Sequence, residues 1–156
     1  MKTGIALALA ALALAMPRLV GAMDSGPAAA PAPRFAPPAR NAEALYNDGR
    51  AFSQQKNWAK AEASYREALR LRGAFPEAWN GLGYVLRQQQ KYNDALWAYE
   101  EALHLRPDYP EALEYLGEAY VQMGKMADAQ AILDRLRPLD QKGAEELARV
   151  IAAAKR

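Results

Sequence analysis

A single histidine, two aspartates towards the carboxyl end and one closely spaced glycine pair are the features of this 156-residue chain that could do chemistry. His104 would act as a general base or a metal ligand only beside a second histidine, a cysteine or an acid cluster at triad or ligand spacing, and none accompanies it. Its place in the last turn of a helical stretch has a simpler reading: the imidazole complements the negative end of the helix dipole. Gly81-Leu82-Gly83 has the look of a phosphate loop, but no strand precedes it and no third glycine follows at the required distance. Asp134 and Asp140 lack the dense oxygen-ligand spacing of a calcium loop. Cysteine is absent, which removes disulfides, thiolate metal sites, thiol catalysis and covalent haem attachment. The expectation is therefore no catalytic residue, no metal site and no cofactor, with an enzyme kept only as a remote alternative.

The residues that do recur belong to a skeleton with a period of 34: Gly49, Gly83 and Gly117; Ala61, Ala95 and Ala129; Tyr65, Tyr99 and Leu133; Leu45, Trp79 and Leu113. A period of this length marks stacked supersecondary units. Within each unit, apolar residues fall at helical spacing twice, separated by a short polar break. The spacing predicts helices at about 42–55, 58–71, 76–89, 92–105, 110–123 and 126–137, with Asn41 capping the first and Pro76 and Pro110 opening theirs. Glycine in mid-helix costs about 1 kcal/mol relative to alanine, so its recurrence at 49, 83 and 117 predicts close helix approach, with Ala61, Ala95 and Ala129 as the small surfaces approached.

The pattern Trp79, Leu82, Gly83, Ala95, Tyr99, Ala102, Pro107 resembles the tetratricopeptide repeat over residues 42–141. The resemblance implies an all-α fold: a right-handed superhelical stack of three helical hairpins, at 42–75, 76–109 and 110–141. Departures lie in the end units. Asp48 stands where Leu82 and Leu116 stand, Gly73 replaces the closing proline, and Pro138 truncates the last helix. A stack of hairpins needs a polar-backed cover at its end. Residues 142–156 are expected to supply it as a C-terminal capping helix, with Ala144, Leu147, Ala148 and Ile151 on its apolar face.

Residues 1–22 read as a signal peptide: Met1-Lys2, an unbroken apolar run from Ile5 to Met16, then the small residues Val20-Gly21-Ala22 for cleavage. Cleavage after Ala15 is the alternative, as is retention as an anchor, although the run is well short of the roughly 20 apolar residues that span a bilayer. Residues 23–41 form a Pro/Ala-rich linker, with Pro27, Pro31, Pro33, Pro37 and Pro38 each removing a donor and restricting its predecessor. Such a chain extends to about 55 Å at ~3.1 Å per residue. Export is expected, to the bacterial periplasm or as a secreted protein. The formal charge of +2 includes Lys2 and Arg18, so residues 23–156 carry 18 basic and 18 acidic side chains. That balance argues against nucleic acid as a partner. A membrane would be a partner only if the leader is retained.

In the family that the chain resembles, the first helix of each hairpin lines a concave groove that takes an extended peptide or a partner helix. Carried through the register, this implies a groove built from Tyr46, Asn47 and Arg50; Asn80, Tyr84 and Arg87; and Tyr115, Glu118 and Gln122. Asn and Gln would pair with ligand backbone amides, Tyr would offer rigid apolar faces, and Arg50 and Arg87 would fork onto a carboxylate. Gly81 is expected to leave space between the tyrosines. Some family members bind the carboxyl-terminal tail of heat-shock chaperones through a clamp of lysines, an arginine and asparagines in this groove. The equivalent positions here hold Tyr46, Arg50, Gly81, Glu111 and Tyr115, which argues against that clamp. Charge is graded, with six basic and four acidic side chains over 42–75 but three and six over 110–141. Trp97, whose register mates are Ala63 and Ala131, marks either a second contact surface or packing against a neighbouring helix. Trp58 and Tyr92 are expected in the core. The reading favoured is an exported adaptor or scaffold that binds a polypeptide segment of an envelope or secretion assembly; the alternative is a structural subunit that self-associates as a homo-oligomer through its convex face.

Overall fold

The structure, a computed structural model, describes residues 41–155; the leader and most of the linker lie outside the described residues. Seven helices are found among the described residues: α1 Ala42–Gln54, α2 Trp58–Leu71, α3 Pro76–Gln88, α4 Tyr92–Leu105, α5 Pro110–Gln122, α6 Met126–Leu136 and α7 Gln141–Ala154. None is long and apolar enough to cross a membrane. The first six pair as antiparallel hairpins α1–α2, α3–α4 and α5–α6, which stack so that α1, α3 and α5 form one layer. Helix α7 packs on both α5 and α6.

Local chemistry sets the boundaries. Asn41 Oδ1 accepts from Ala44 N at 2.7 Å and Asp140 Oδ1 from Lys142 N at 3.0 Å, while Pro76 and Pro110 occupy first-turn positions where no amide hydrogen is required. Each turn between paired helices passes through a left-handed residue, at Lys56 (φ 56), Gln90 (φ 62) and Gly124 (φ 73). These three are again 34 apart, and only the last is the residue type that adopts the conformation without strain.

The core runs the length of the stack as a single cluster, from Ala42 and Tyr65 through Leu82, Leu86 and Tyr99 to Leu113, Leu136, Leu147 and Ile151. Ala144, Leu147 and Ile151 of α7 are buried, Ala148 partly so, and α7 covers the end of the core as a lid. The glycines work differently from expectation. The atoms nearest to a Cβ added at Gly49 or Gly83 belong to the rings of Tyr65 and Tyr99, and those nearest to one at Gly117 belong to Leu147. Ala61, Ala95 and Ala129 are fully buried, but it is a large side chain that fills the hollow each glycine leaves. Trp58 and Tyr92 are half-buried, not core. Asp48, in register with the buried Leu82 and Leu116, is half-buried on the first hairpin.

An ion pair closes each of the first two hairpins on itself, at the same register position. Arg72 Nη1 meets Glu43 Oε1 at 2.6 Å, and Arg106 pairs with Glu77 in the same way. Asp140 occupies the third position of that series. It caps α7 instead, so Glu111 lacks the cation that its register mates Glu43 and Glu77 meet in the first two units.

Candidate functional site

The layer α1, α3, α5 presents one row of residues at each register position. Tyr46, Asn80 and Glu114 share one such row, and Arg50, Tyr84 and Glu118 share the next. Between the rows lies a cavity of about 220 Å³ whose lining includes Tyr46, Arg50, Asn80, Tyr84 and Tyr115. These five of the nine groove residues expected from sequence are therefore brought together. Asn47 and Gln122 are exposed on α1 and α5 but do not line it.

Arg87 and Glu118 are placed otherwise. Arg87 is 7% exposed, and its Nη1 lies 2.7 Å from Glu118 Oε2. Its guanidinium sits 5.7 Å from the ring centroids of both Tyr84 and Tyr115. A cation so enclosed is already paired through Nη1, although its Nε is buried without a hydrogen-bond partner, and the pair holds α3 to α5. It is not available to fork onto a ligand carboxylate. Among the described residues, Arg50 is the cation that lines the cavity, exposed and 5.9 Å from the Tyr46 ring centroid.

Gly81 also differs from expectation. A Cβ there would lie 2.6 Å from Tyr65 Cζ, so the room it leaves is taken by the Tyr65 ring, which thereby reaches between α1 and α3 into the cavity wall. Tyr65, Tyr109 and Glu77, the last paired with Arg106, complete the lining, and the two tyrosines are not among the groove residues expected from sequence. The signal for Tyr65 was present, since it is the repeat's own aromatic lying opposite two glycines. Tyr109 carried a weaker one, as the residue before the helix-opening Pro110. Burial pushes the phenols of Tyr65, Tyr109 and Tyr115 above their ordinary value, which keeps them neutral, as hydrogen-bond donors.

At the centre stands Asn80. It is 8% exposed, its Nδ2 lies 3.5 Å from Tyr109 Oη, and its Oδ1 is buried without a hydrogen-bond partner. A buried unpaired amide oxygen costs about 1–3 kcal/mol.

On the outer side, Trp97 is 50% exposed and stands edge-on to Trp79, with ring centroids 4.9 Å apart and planes at 88°. Trp97 thus packs on a neighbouring helix, at Trp79, and the rest of its indole is exposed. The two indoles help to line a cleft of about 270 Å³ with Leu69, Leu82, Arg66 and Arg70. His104 is exposed in the last turn of α4. No cluster of three or more potential metal ligands occurs among the described residues.

Two family models match this sequence, one described as TPR repeat over residues 83–124 and one as tetratricopeptide repeat over residues 46–98. Solved structures with a similar fold include the TPR2B domain of yeast Sti1 in a pHsp70 complex, with a TM-score of 0.69 and 18% identity over 73% of this chain and 95% of that one. The first TPR of Spaghetti (RPAP3), bound to the HSP90 peptide SRMEEVD, aligns with a TM-score of 0.68 and 18% identity over 74% and 94%. The Arabidopsis OM64 TPR domain aligns with a TM-score of 0.68 and 19% identity over 72% and 94%. At these identities the likeness is one of fold. No curated protein matches the chain in sequence.

Proposed function

We propose that this chain, which belongs to the tetratricopeptide repeat family, is an adaptor that holds a polypeptide segment of a partner in its concave groove. The carrying observation is the cavity that gathers Tyr46, Arg50, Asn80, Tyr84 and Tyr115 around a buried, half-satisfied carboxamide. Two solved structures of this fold are of TPR domains in complexes with chaperone-derived partners, which supports a groove that binds peptide. Neutral phenols and an amide suit a main chain and its apolar side chains, and binding of this kind requires no cofactor. The leader and linker, read from sequence, support the further proposal that the adaptor is exported and serves an envelope or secretion assembly.

Affinity capture with the full-length chain, beside a variant carrying Asn80→Ala and Tyr84→Ala and of equal helicity, tests this reading. A partner retained by the wild type and lost from the variant is the expected result. Equal retention by both would place the binding surface elsewhere. The exposed Trp97 face favours one second reading, self-association through the outer surface. Sedimentation that depends on concentration and loses that dependence on Trp97→Ala would support it, and a monomer at all concentrations would refute it.

A further inference from the structure

The groove floor continues beyond Asn80 to its register mate Glu114, and here the chemistry changes sign. Tyr115 borders the central cavity, while the adjacent Glu114 borders a notch of about 270 Å³ shared with Asp140, Lys142, Gly143 and Glu146. Gly143 makes the notch possible, because a Cβ there would lie 2.8 Å from Asp140 Oδ2 and 3.3 Å from Glu114 Oε2. Asp140 is engaged in capping α7, and Glu146 is paired with Arg149. Glu114 alone of these carboxylates receives neither a hydrogen bond nor a cation among the described residues. Burial, with Glu118, Asp140, Glu146 and Glu111 nearby, raises its carboxyl above the ordinary value. Lys142 is the single cation on the rim.

An acid held in such surroundings is costly, and the neighbouring Asn80 amide is costly for a separate reason. Tyr109 Oη can meet either end of that carboxamide, so whichever way it is turned its other end is left unpaired. An extended main chain, with alternating N–H and C=O groups, satisfies either orientation. A cationic side chain one step further along would neutralise Glu114.

We infer that the groove is specific for a basic peptide segment, whose main chain is read by Asn80 while a Lys or Arg side chain enters the notch at Glu114. This rests on the groove reading above and adds the chemistry and direction of the ligand: its basic residue points towards α7. The polarity is opposite to that of a groove built to clamp acidic tails, since carboxylates line its carboxyl-terminal end.

The test uses the purified full-length chain and an array of immobilised peptides, matched in length and aromatic content and graded from acidic to basic. Retention that rises with Lys and Arg content is expected. The best-held basic peptide, titrated in solution, should then lose about tenfold in Kd on Glu114→Gln and about tenfold on Asn80→Ala. Replacing its basic residue by methionine should weaken wild-type binding by a similar factor, with no further loss on Glu114→Gln, because the two charges form one interaction. Glu114→Gln relieves repulsion, so unfolding does not explain a loss. A preference for acidic peptides that still depends on Asn80 would overturn the polarity and leave the groove standing. Retention of no peptide, or binding indifferent to both substitutions, would overturn the polarity and the groove together.

Discussion

Removing one member of the Arg87–Glu118 pair should destabilise the stack far more than removing both. Arg87 is 7% exposed, the Glu118 side chain 20%, and they meet at 2.7 Å between α3 and α5. Leaving a buried charge without its partner costs about 3–5 kcal/mol where burial is complete. Water reaches Glu118, so the cost of Glu118→Ala should fall near the lower end, at about 2–3 kcal/mol. Arg87→Met should cost a similar amount, because it strands Glu118 in the acid-rich surroundings of Glu114. The double variant Arg87→Met/Glu118→Leu leaves no charge to strand and keeps the contact between α3 and α5 apolar, so it should lie within about 1 kcal/mol of wild type. Urea titration followed by helical circular dichroism measures all four stabilities. Losses that simply add in the double variant, or single variants that each cost below about 0.5 kcal/mol, would refute the reasoning. The pair would then behave as a solvated surface contact, and Arg87 would be free for a ligand after all.

The remaining predictions can be checked by the same titration. Gly83→Ala gains about 1 kcal/mol of helix propensity but drives a Cβ to 2.6 Å from Cε1 of the fully buried Tyr99. Overpacking outweighs the gain, for a net loss of about 1–2 kcal/mol. Gly73→Ala, whose nearest contact would be 3.9 Å, should change stability by less than about 0.5 kcal/mol. Gln90→Gly should stabilise by about 0.5–1 kcal/mol by relieving a left-handed non-glycine residue, and a loss would show that the turn is not strained. Burial alone would raise the Glu62 carboxyl, but hydrogen bonds from Lys91, Gln89 and Arg66 hold it below its ordinary value. Its stabilisation is therefore full above the ordinary carboxylate range and is lost as pH falls through the folded value, so Glu62→Gln should flatten the acid limb of stability against pH. The sign reverses at Glu114, whose raised value means that ionisation opposes folding as pH rises from the ordinary carboxylate value through the folded one. Glu114→Gln should raise stability at neutral pH and remove that part of the slope.

Most of the fold was legible because a 34-residue period fixes helix spacing, pairing and stacking together. The predicted helices at 58–71 and 92–105 coincide with α2 and α4, the other four hairpin helices end one residue earlier than expected, and the capping helix α7 runs Gln141–Ala154 against an expected 142–156. What the period could not convey was which side chain fills which hollow. Gly49, Gly83 and Gly117 announced close approach, but a register lists neighbours along the chain, whereas Tyr65, Tyr99 and Leu147 enter from packed helices. The site shows the same division. Tyr46, Asn80, Tyr84 and Tyr115 line one cavity, as the register implies, because a register position on an inner helix maps onto one face. The burial of Arg87 is not legible in the register because exposure depends on the next helix, and only the 31-residue offset to Glu118, one repeat less a helical turn, hints at their pairing. The left-handed turns at Lys56 and Gln90 are marked in the sequence only through Gly124, their register mate.

The central claim is that a polypeptide lies on α1, α3 and α5, and backbone amide NMR of the labelled chain, titrated with a captured partner's segment or the best array peptide, addresses it most directly. The account predicts saturable shifts at Tyr46, Asn80, Tyr84, Glu114 and Tyr115, with the Trp79 and Trp97 indole signals unmoved. Shifts centred on Trp97 with the inner helices silent would contradict it.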